Sequence, residues 1–329
     1  MSFSVQEIKD STLIKIENNC GLIATLCNFG AGVFSLYLDG KPLILEAETL
    51  DDYKYSFQFF GKTLGVVAGR FKSSGYLLNH EYNLLSEPGK SFSLHGGNLS
   101  SISFKNWKYK IKESSKKIDV IFNIKTKNNE NGFPGGANIY VTYSFLKEKN
   151  EFKILYKAST PGEATFLNLS NHMYFNFAEN NISEHKLKMN ASTIAVTDEN
   201  LYIYSSKEVN EVMDFNKLSK LGTRLKDIEK KDFKGTIDDT FKFDGIPGKI
   251  SLSNSDVELN IQTTYPAVNI YVDNSLSNMK FKNKNLSKNR RGIAIEPQKW
   301  LLDFYSIILK TNQIYKEEIK YKFKKKVDF

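Results

Sequence analysis

Lys117-Ile118-Asp119-Val120-Ile121-Phe122-Asn123-Ile124-Lys125 is a β-rich run, and runs of the same kind lie around it at 107–113, 137–146 and 151–158. The pattern starts near the N-terminus, at 13–17, 21–27, 32–38 and 41–45, where Asn18-Asn19 and Asp39-Gly40 supply hairpin-type punctuation. It returns at 258–264 and 269–272. Strands at regular spacing without helices between them predict antiparallel sheets and an all-β fold, a large antiparallel β-sandwich with a few short helices. Helical pattern is confined to 56–60 and parts of 208–228. No repeat or flexible linker divides the chain, and seven prolines leave little material for one, so residues 1–329 are expected to form one domain.

Hydrophobic residues make up 40% of the 329, including 24 Phe and 17 Tyr, enough to bury a sizeable core and to exclude intrinsic disorder. The formal charge of +9 raises the question of nucleic acid. The lysines are scattered, however, and the one dense run, Lys320 to Lys326, interleaves Lys with Tyr and Phe. It is expected to be a last edge strand with a solvated lysine face, so neither a nucleic-acid nor a membrane partner is implied. Cys20 and Cys27 would fall on opposite faces of one continuous strand and read as free thiols in a reducing compartment. The first ten residues lack the apolar core of a signal peptide, and no apolar run is long enough to span a bilayer, which points to the cytoplasm. There is no zinc-ligand spacing, P-loop or dinucleotide fingerprint, so no metal or cofactor is expected. Oligomeric state, monomer or homodimer, is left open.

Of the four histidines, His172 sits among amides and aromatics in Asn171-His172-Met173-Tyr174-Phe175-Asn176-Phe177, a setting that can hold an imidazole out of water. Far downstream, Glu296 follows Ile293-Ala294-Ile295, and a carboxylate beside such a run is costly unless paired or functional. Together they offer an acid and a base. With ordinary values of about 4.3 for Glu and about 6.5 for His, the carboxylate would accept a proton and the imidazole would hold one. His80 and His185 lie in polar, lysine-bearing contexts and read as surface residues.

The order Gly69-Arg70, Leu94-His95-Gly96-Gly97, Phe133-Pro134-Gly135-Gly136, Asn171 to Asn176, Asp238-Asp239-Thr240-Phe241 and Ile295-Glu296-Pro297-Gln298 resembles the aldose 1-epimerases, the galactose mutarotase family. The resemblance implies that family's large sandwich with the sugar site in an open cleft. It also implies cofactor-free interconversion of α and β sugar anomers, with Glu296 as base and His172 as acid. His95 and Asp238 would hold the sugar, with Gly96-Gly97 letting it approach the backbone. Arg70, Ser74, Tyr174, Tyr265 and Gln298 are further expected substrate contacts. The chain departs from the family at Ser73-Ser74, where Asn and Arg are usual, at Tyr265, where Gln is common, and at Trp300 in the segment after Gln298. Those departures predict an altered sugar preference. The rivals are a non-catalytic carbohydrate-binding protein on the same scaffold and a hexose-phosphate epimerase. A glycosidase would need two carboxylates flanking the bond.

Overall fold

Strand pairing follows the runs legible in the chain. The computed structural model describes residues 1–326 except 79, 179, 200, 233–235 and 274–278. Five N-terminal strands, Ser2–Ile8, Ser11–Glu17, Leu22–Cys27, Gly32–Leu38 and Lys41–Pro42, pair in chain order as an antiparallel meander. Asp39 and Gly40 form a two-residue hairpin loop with both φ angles positive, 49° and 78°, the geometry that explains a glycine there. Cys20 lies in the turn before Leu22, so no single strand joins it to Cys27; both thiols are free, and burial pushes that of Cys27 up to about 12.

A nine-stranded antiparallel sheet forms the back of the molecule. Lys108–Glu113, Lys117–Lys125, Asn138–Leu146 and Glu151–Ser159 are joined in chain order, followed by Tyr315–Lys325, Val257–Thr263, Gly248–Ser253, Lys186–Met189 and Ser219–Lys220. Alternate residues such as Ile118, Val120 and Phe122 are fully buried, and each contributes about 1.5–3 kcal/mol by leaving water.

The six-stranded sheet in front carries the chemistry. Its order is Tyr174–Phe175, Ile293–Gln298, Ala267–Val272, Asp238–Lys242, Thr193–Thr197, Ile203–Glu208. One face is apolar: Ile293, Ile295, Val268, Ile270 and Phe241 join the main core, and Phe175 meets Tyr321 of the back sheet at 6.1 Å between rings. Among the described residues no helix is long and apolar enough to cross a membrane.

Several expectations need correction. Tyr315–Lys325 is not an edge strand; it pairs with Glu151–Ser159 on one side and Val257–Thr263 on the other. Its alternation is as read, with Tyr321 and Phe323 inward and Lys322 and Lys324 outward. Side-chain alternation reports faces, while the second neighbour is recruited by backbone groups that every residue carries. Residues 56–60 are turns rather than helix, since Ser56 is extended (ψ 125°) and Phe59 left-handed (φ 54°). The helix lies just before, Leu50–Tyr55, started by a Thr49/Asp52 capping box. Within 208–228 only the part from Leu221 is helical, in a helix that runs to Asp232.

An interior position for the last strand makes it intolerant of proline. Lys322→Pro should cost at least about 2 kcal/mol by leaving a buried ladder bond unmade, while Lys322→Ala at this exposed site should cost less than about 0.5 kcal/mol. Urea denaturation compares the two; equal, small effects would return the strand to an edge.

Candidate active site

Register across the front sheet builds the site. Glu296 is directly opposite Asn269, and Asn269 is opposite Thr240, while Tyr271 lies opposite Asp238. Because side chains two apart share a face, Glu296, Gln298, Asn269, Tyr271, Asp238 and Thr240 all project away from the apolar face. They line a cleft with a cavity volume of about 190 Å³.

His172 enters from the short link between Ser170–Asn171 and Tyr174–Phe175. Its backbone is clamped: its N–H donates to Lys62 O (3.0 Å) and its carbonyl accepts from Gly61 N (2.9 Å). Asn171 braces the same turn, donating to Gly61 O (2.9 Å) and accepting from Met173 N (3.0 Å). The imidazole stacks on Phe59 at 6.3 Å and lies 4.7 Å from the Tyr174 ring. These contacts bring His172 Nε2 to 3.6 Å from Glu296 Oε1, with the two side chains only 6% and 1% exposed. Nδ1 of His172 and Oε2 of Glu296 have no hydrogen-bond partner of ordinary geometry.

Burial sets the protonation of the pair. It pushes Glu296 up to about 8; the Asn269 amide, donating to Oε1 at 3.3 Å, and Arg70 pull downward, and Asp238 adds to the rise. Burial likewise takes His172 down to about 4. Ordinary solution values, which would put the proton on the imidazole, therefore do not apply: burial favours the uncharged form of each group, so near neutrality the pair's one proton is favoured on the carboxyl.

His95 has φ 48° and its Nδ1 accepts from Gly69 N (3.1 Å), so its proton is on Nε2. Burial holds its pKa well below the usual value, leaving a neutral donor. One donor atom from each of His95, His172 and Glu296 lies within 4.8 Å of the others, close enough to consider a metal. The tautomer argues against one, because a ligating histidine donates its remote N–H outward, whereas His95 Nδ1 accepts and its Nε2 carries the proton. Asp238 is shared between Arg70, whose Nη2 donates to Oδ2 at 2.8 Å, and the Asn269 amide, 3.5 Å from Oδ1. Gln298 Oε1 has no partner.

The cleft thus gathers His172, Glu296, His95, Asp238, Arg70, Tyr174 and Gln298. It leaves out two expected contacts. Ser74 is exposed on the separate ribbon Ser74–Leu77/His80–Asn83. Tyr265 is fully buried, its hydroxyl engaged with Leu169 O and Tyr315 OH, so it offers no face to a sugar. Trp300 packs with Ala195, Ile203 and Ala267, and Ser73 donates to Ser91 O, so these departures are structural and give no ground for an altered sugar preference. Gly96 and Gly97 serve packing rather than ligand approach, since a Cβ on Gly96 would lie 2.2 Å from Gly65 O and one on Gly97 2.9 Å from Asn131 Nδ2. His80 is exposed as expected, but His185 is fully buried, its Nε2 accepting from Phe177 N at 2.9 Å. Asn269, Thr240, Tyr271 and Phe59 line the cleft without having been anticipated; strand alternation in Asn269-Ile270-Tyr271 was the available signal for two of them.

Comparison with known proteins follows this geometry. A family model described as aldose 1-epimerase matches residues 12–322. The chain is 27% identical over 299 residues to an aldose 1-epimerase of Haemophilus influenzae, covering 87% of this chain and 86% of that protein. It is 29% identical over 276 residues to human galactose mutarotase, covering 79% and 76%. Among solved structures, a galactose 1-epimerase from Lactobacillus acidophilus superposes with a TM-score of 0.88 at 25% identity, covering 99% of each chain.

A carboxyl whose folded pKa is raised contributes stability below its unfolded value, about 4.5, which is lost as pH rises toward about 8. Glu296→Gln cannot ionise and escapes that loss. Its stability relative to the wild type should therefore rise between pH 5 and pH 8, by on the order of 2 kcal/mol. Thermal melts of both proteins at the two pH values check this; a pH-independent difference would contradict it.

Proposed function

The chain belongs to the aldose 1-epimerase family, and we propose that Glu296 and His172 perform its proton transfers. The protein is an isomerase that interconverts the α and β anomers of a free aldose. The reaction removes the proton from the C1 hydroxyl while protonating the ring oxygen, which breaks the C1–O5 bond and leaves an open-chain aldehyde. Rotation about C1–C2 and closure on the other carbonyl face complete it. One observation carries the role assignment: a carboxyl and an imidazole 3.6 Å apart at the floor of a cleft.

Glu296 as carboxylate takes the C1 hydroxyl proton while Nε2–H of His172 gives one to the ring oxygen; the roles reverse on closure. Reaching that charged form requires moving the pair's proton from carboxyl to imidazole. Two groups favour it: the Asn269 amide donates to the Glu296 carboxylate, and Asp238 favours the imidazolium. His95 supplies a neutral N–H donor beside the ring oxygen, while Asp238 and the free Gln298 Oε1 accept from sugar hydroxyls. Retention of both proton-transfer groups at this separation favours an enzyme over a pure binder. A phosphorylated sugar is disfavoured, because Asp238, Asp239 and Glu296 line the cleft and its arginine, Arg70, is engaged by Asp238. We further propose that residues 1–329 act as a single domain in the cytoplasm, without metal, nucleotide or nucleic acid; the two free thiols suit a reducing compartment.

Glu296→Gln and His172→Ala should each lower kcat for anomer interconversion by at least about 10²-fold, measured by polarimetry after subtracting the spontaneous rate. Wild-type rate in either variant would refute the assignment. Activity requires one proton on the pair, so kcat/KM should fall above about pH 8, where Glu296 loses it, and below about pH 4, where His172 gains a second. A profile rising steadily through pH 9 would be incompatible with this pair.

A further inference from the structure

We propose that the outer face of the nine-stranded sheet docks the protein on an anionic lipid surface. Lysines that are scattered along the chain are gathered by this sheet. Its outward positions alternate with buried ones such as Ile118, Val120 and Phe122, and the antiparallel register carries that alternation across all nine strands. Sixteen lysines stand in these strands, and all but Lys325, which lies opposite the buried Val257, take outward positions. Four carboxylates share the face, those of Asp119, Glu151, Glu258 and Glu318, so fifteen lysines leave an excess of eleven positive charges. The whole chain carries only +9. The rest of the molecule is therefore slightly acidic, and the positive surplus is confined to one side.

Few of these charges are neutralised within the protein. Lys117 pairs with Asp119 at 2.8 Å, Lys153 with Glu318 at 2.8 Å, Lys320 with Glu151 at 2.9 Å and Lys220 with Glu184 at 2.6 Å. Among the described residues the other eleven outward lysines make no ion pair, and all eleven are exposed. Like charges held this close repel one another, and an anionic surface relieves that repulsion. The chemistry of the face favours lipid over nucleic acid. It has no arginine, and Tyr140 is its one outward aromatic, whereas nucleic-acid surfaces draw on the arginine fork and on stacked rings. Its charges spread over nine strands, roughly 38 Å at about 4.8 Å per strand, so a duplex would cover a stripe of it and a lipid surface the whole. Docking leaves the site open. Glu296, Asn269 and Asp238 project from the front sheet on the side away from its apolar face, and that apolar face is the one turned toward the back sheet.

Sedimentation of the full chain with vesicles tests this, using phosphatidylcholine alone and phosphatidylcholine with about 30% phosphatidylglycerol, in about 0.1 M and about 0.5 M NaCl. The protein should bind the anionic vesicles at the lower salt, and at least about tenfold more weakly at the higher salt or to the neutral vesicles. The triple variant Lys157→Gln, Lys188→Gln, Lys322→Gln, drawn from three strands of the face, should lose at least about tenfold in binding. A control triple, Lys72→Gln, Lys207→Gln, Lys288→Gln, removes the same charge from exposed sites elsewhere and should lose less than about threefold. No binding to anionic vesicles at the lower salt, or equal losses in the two variants, would overturn the proposal. A short DNA duplex that binds more tightly than the anionic vesicles at the same salt would overturn it in favour of nucleic acid. Protein bound to vesicles should keep its rate of anomer exchange by polarimetry, and loss of that rate on binding would overturn the orientation with the cleft outward.

Discussion

Burying a carboxyl beside an imidazole, with little water and few partners, is the constraint around which the molecule is arranged. In water Glu296 and His172 would exchange protons freely with solvent. At 1% and 6% side-chain exposure they exchange them with each other and with whatever occupies the cleft. Each leaves one polar atom unsatisfied, a cost of about 1–3 kcal/mol per group that the surrounding core must offset. The apolar face of the same sheet supplies the offset, since Ile293 and Ile295 on either side of the Ala294 position are fully buried in the main core.

Backbone hydrogen bonds hold the peptide of His172, and aromatic side chains hold its ring. Lys62 and Gly61 bond both of its peptide groups, and Lys62 is itself unusual: a fully buried lysine whose Nζ donates to Lys54 O and lies 4.1 Å from the Phe104 ring centroid. Burial lowers its pKa to about 7. Its charge opposes protonation of His172, while Asp238 favours it. Phe104 in turn packs edge-on against Phe59, which stacks on His172 and meets the His95 ring at 4.7 Å. The two histidines are thus held by one aromatic cluster, and their spacing is a packing result.

Much of this was legible in the chain. β-rich runs located most strands of the back sheet within a residue or two, and the motif order pointed to His172, Glu296, His95, Asp238, Arg70, Tyr174 and Gln298, all of which line the cleft. Tyr265 and Ser74 were misjudged for a definable reason. Both stand where the family resemblance implies polar groups, yet Tyr265, in the bend between Val257–Thr263 and Ala267–Val272, is buried in the core, and Ser74 lies on a ribbon away from the cleft. His185 was misjudged because neighbouring lysines on the strand Lys186–Met189 are exposed, while the histidine itself accepts a buried backbone N–H.

The sequence by itself determined the local facts: period-two runs that make strands, the Asp39-Gly40 turn, the capping box at Thr49, and the chemical identity of an acid and a base. Tertiary structure alone decided that Tyr315–Lys325 is an interior strand, that Asn269 stands opposite Glu296, and that burial raises the pKa of Glu296 and lowers that of His172. The division has a physical cause. Side-chain pattern is a property of neighbours in the chain, whereas register, a second strand partner and the dielectric around a charge depend on residues brought close only by folding.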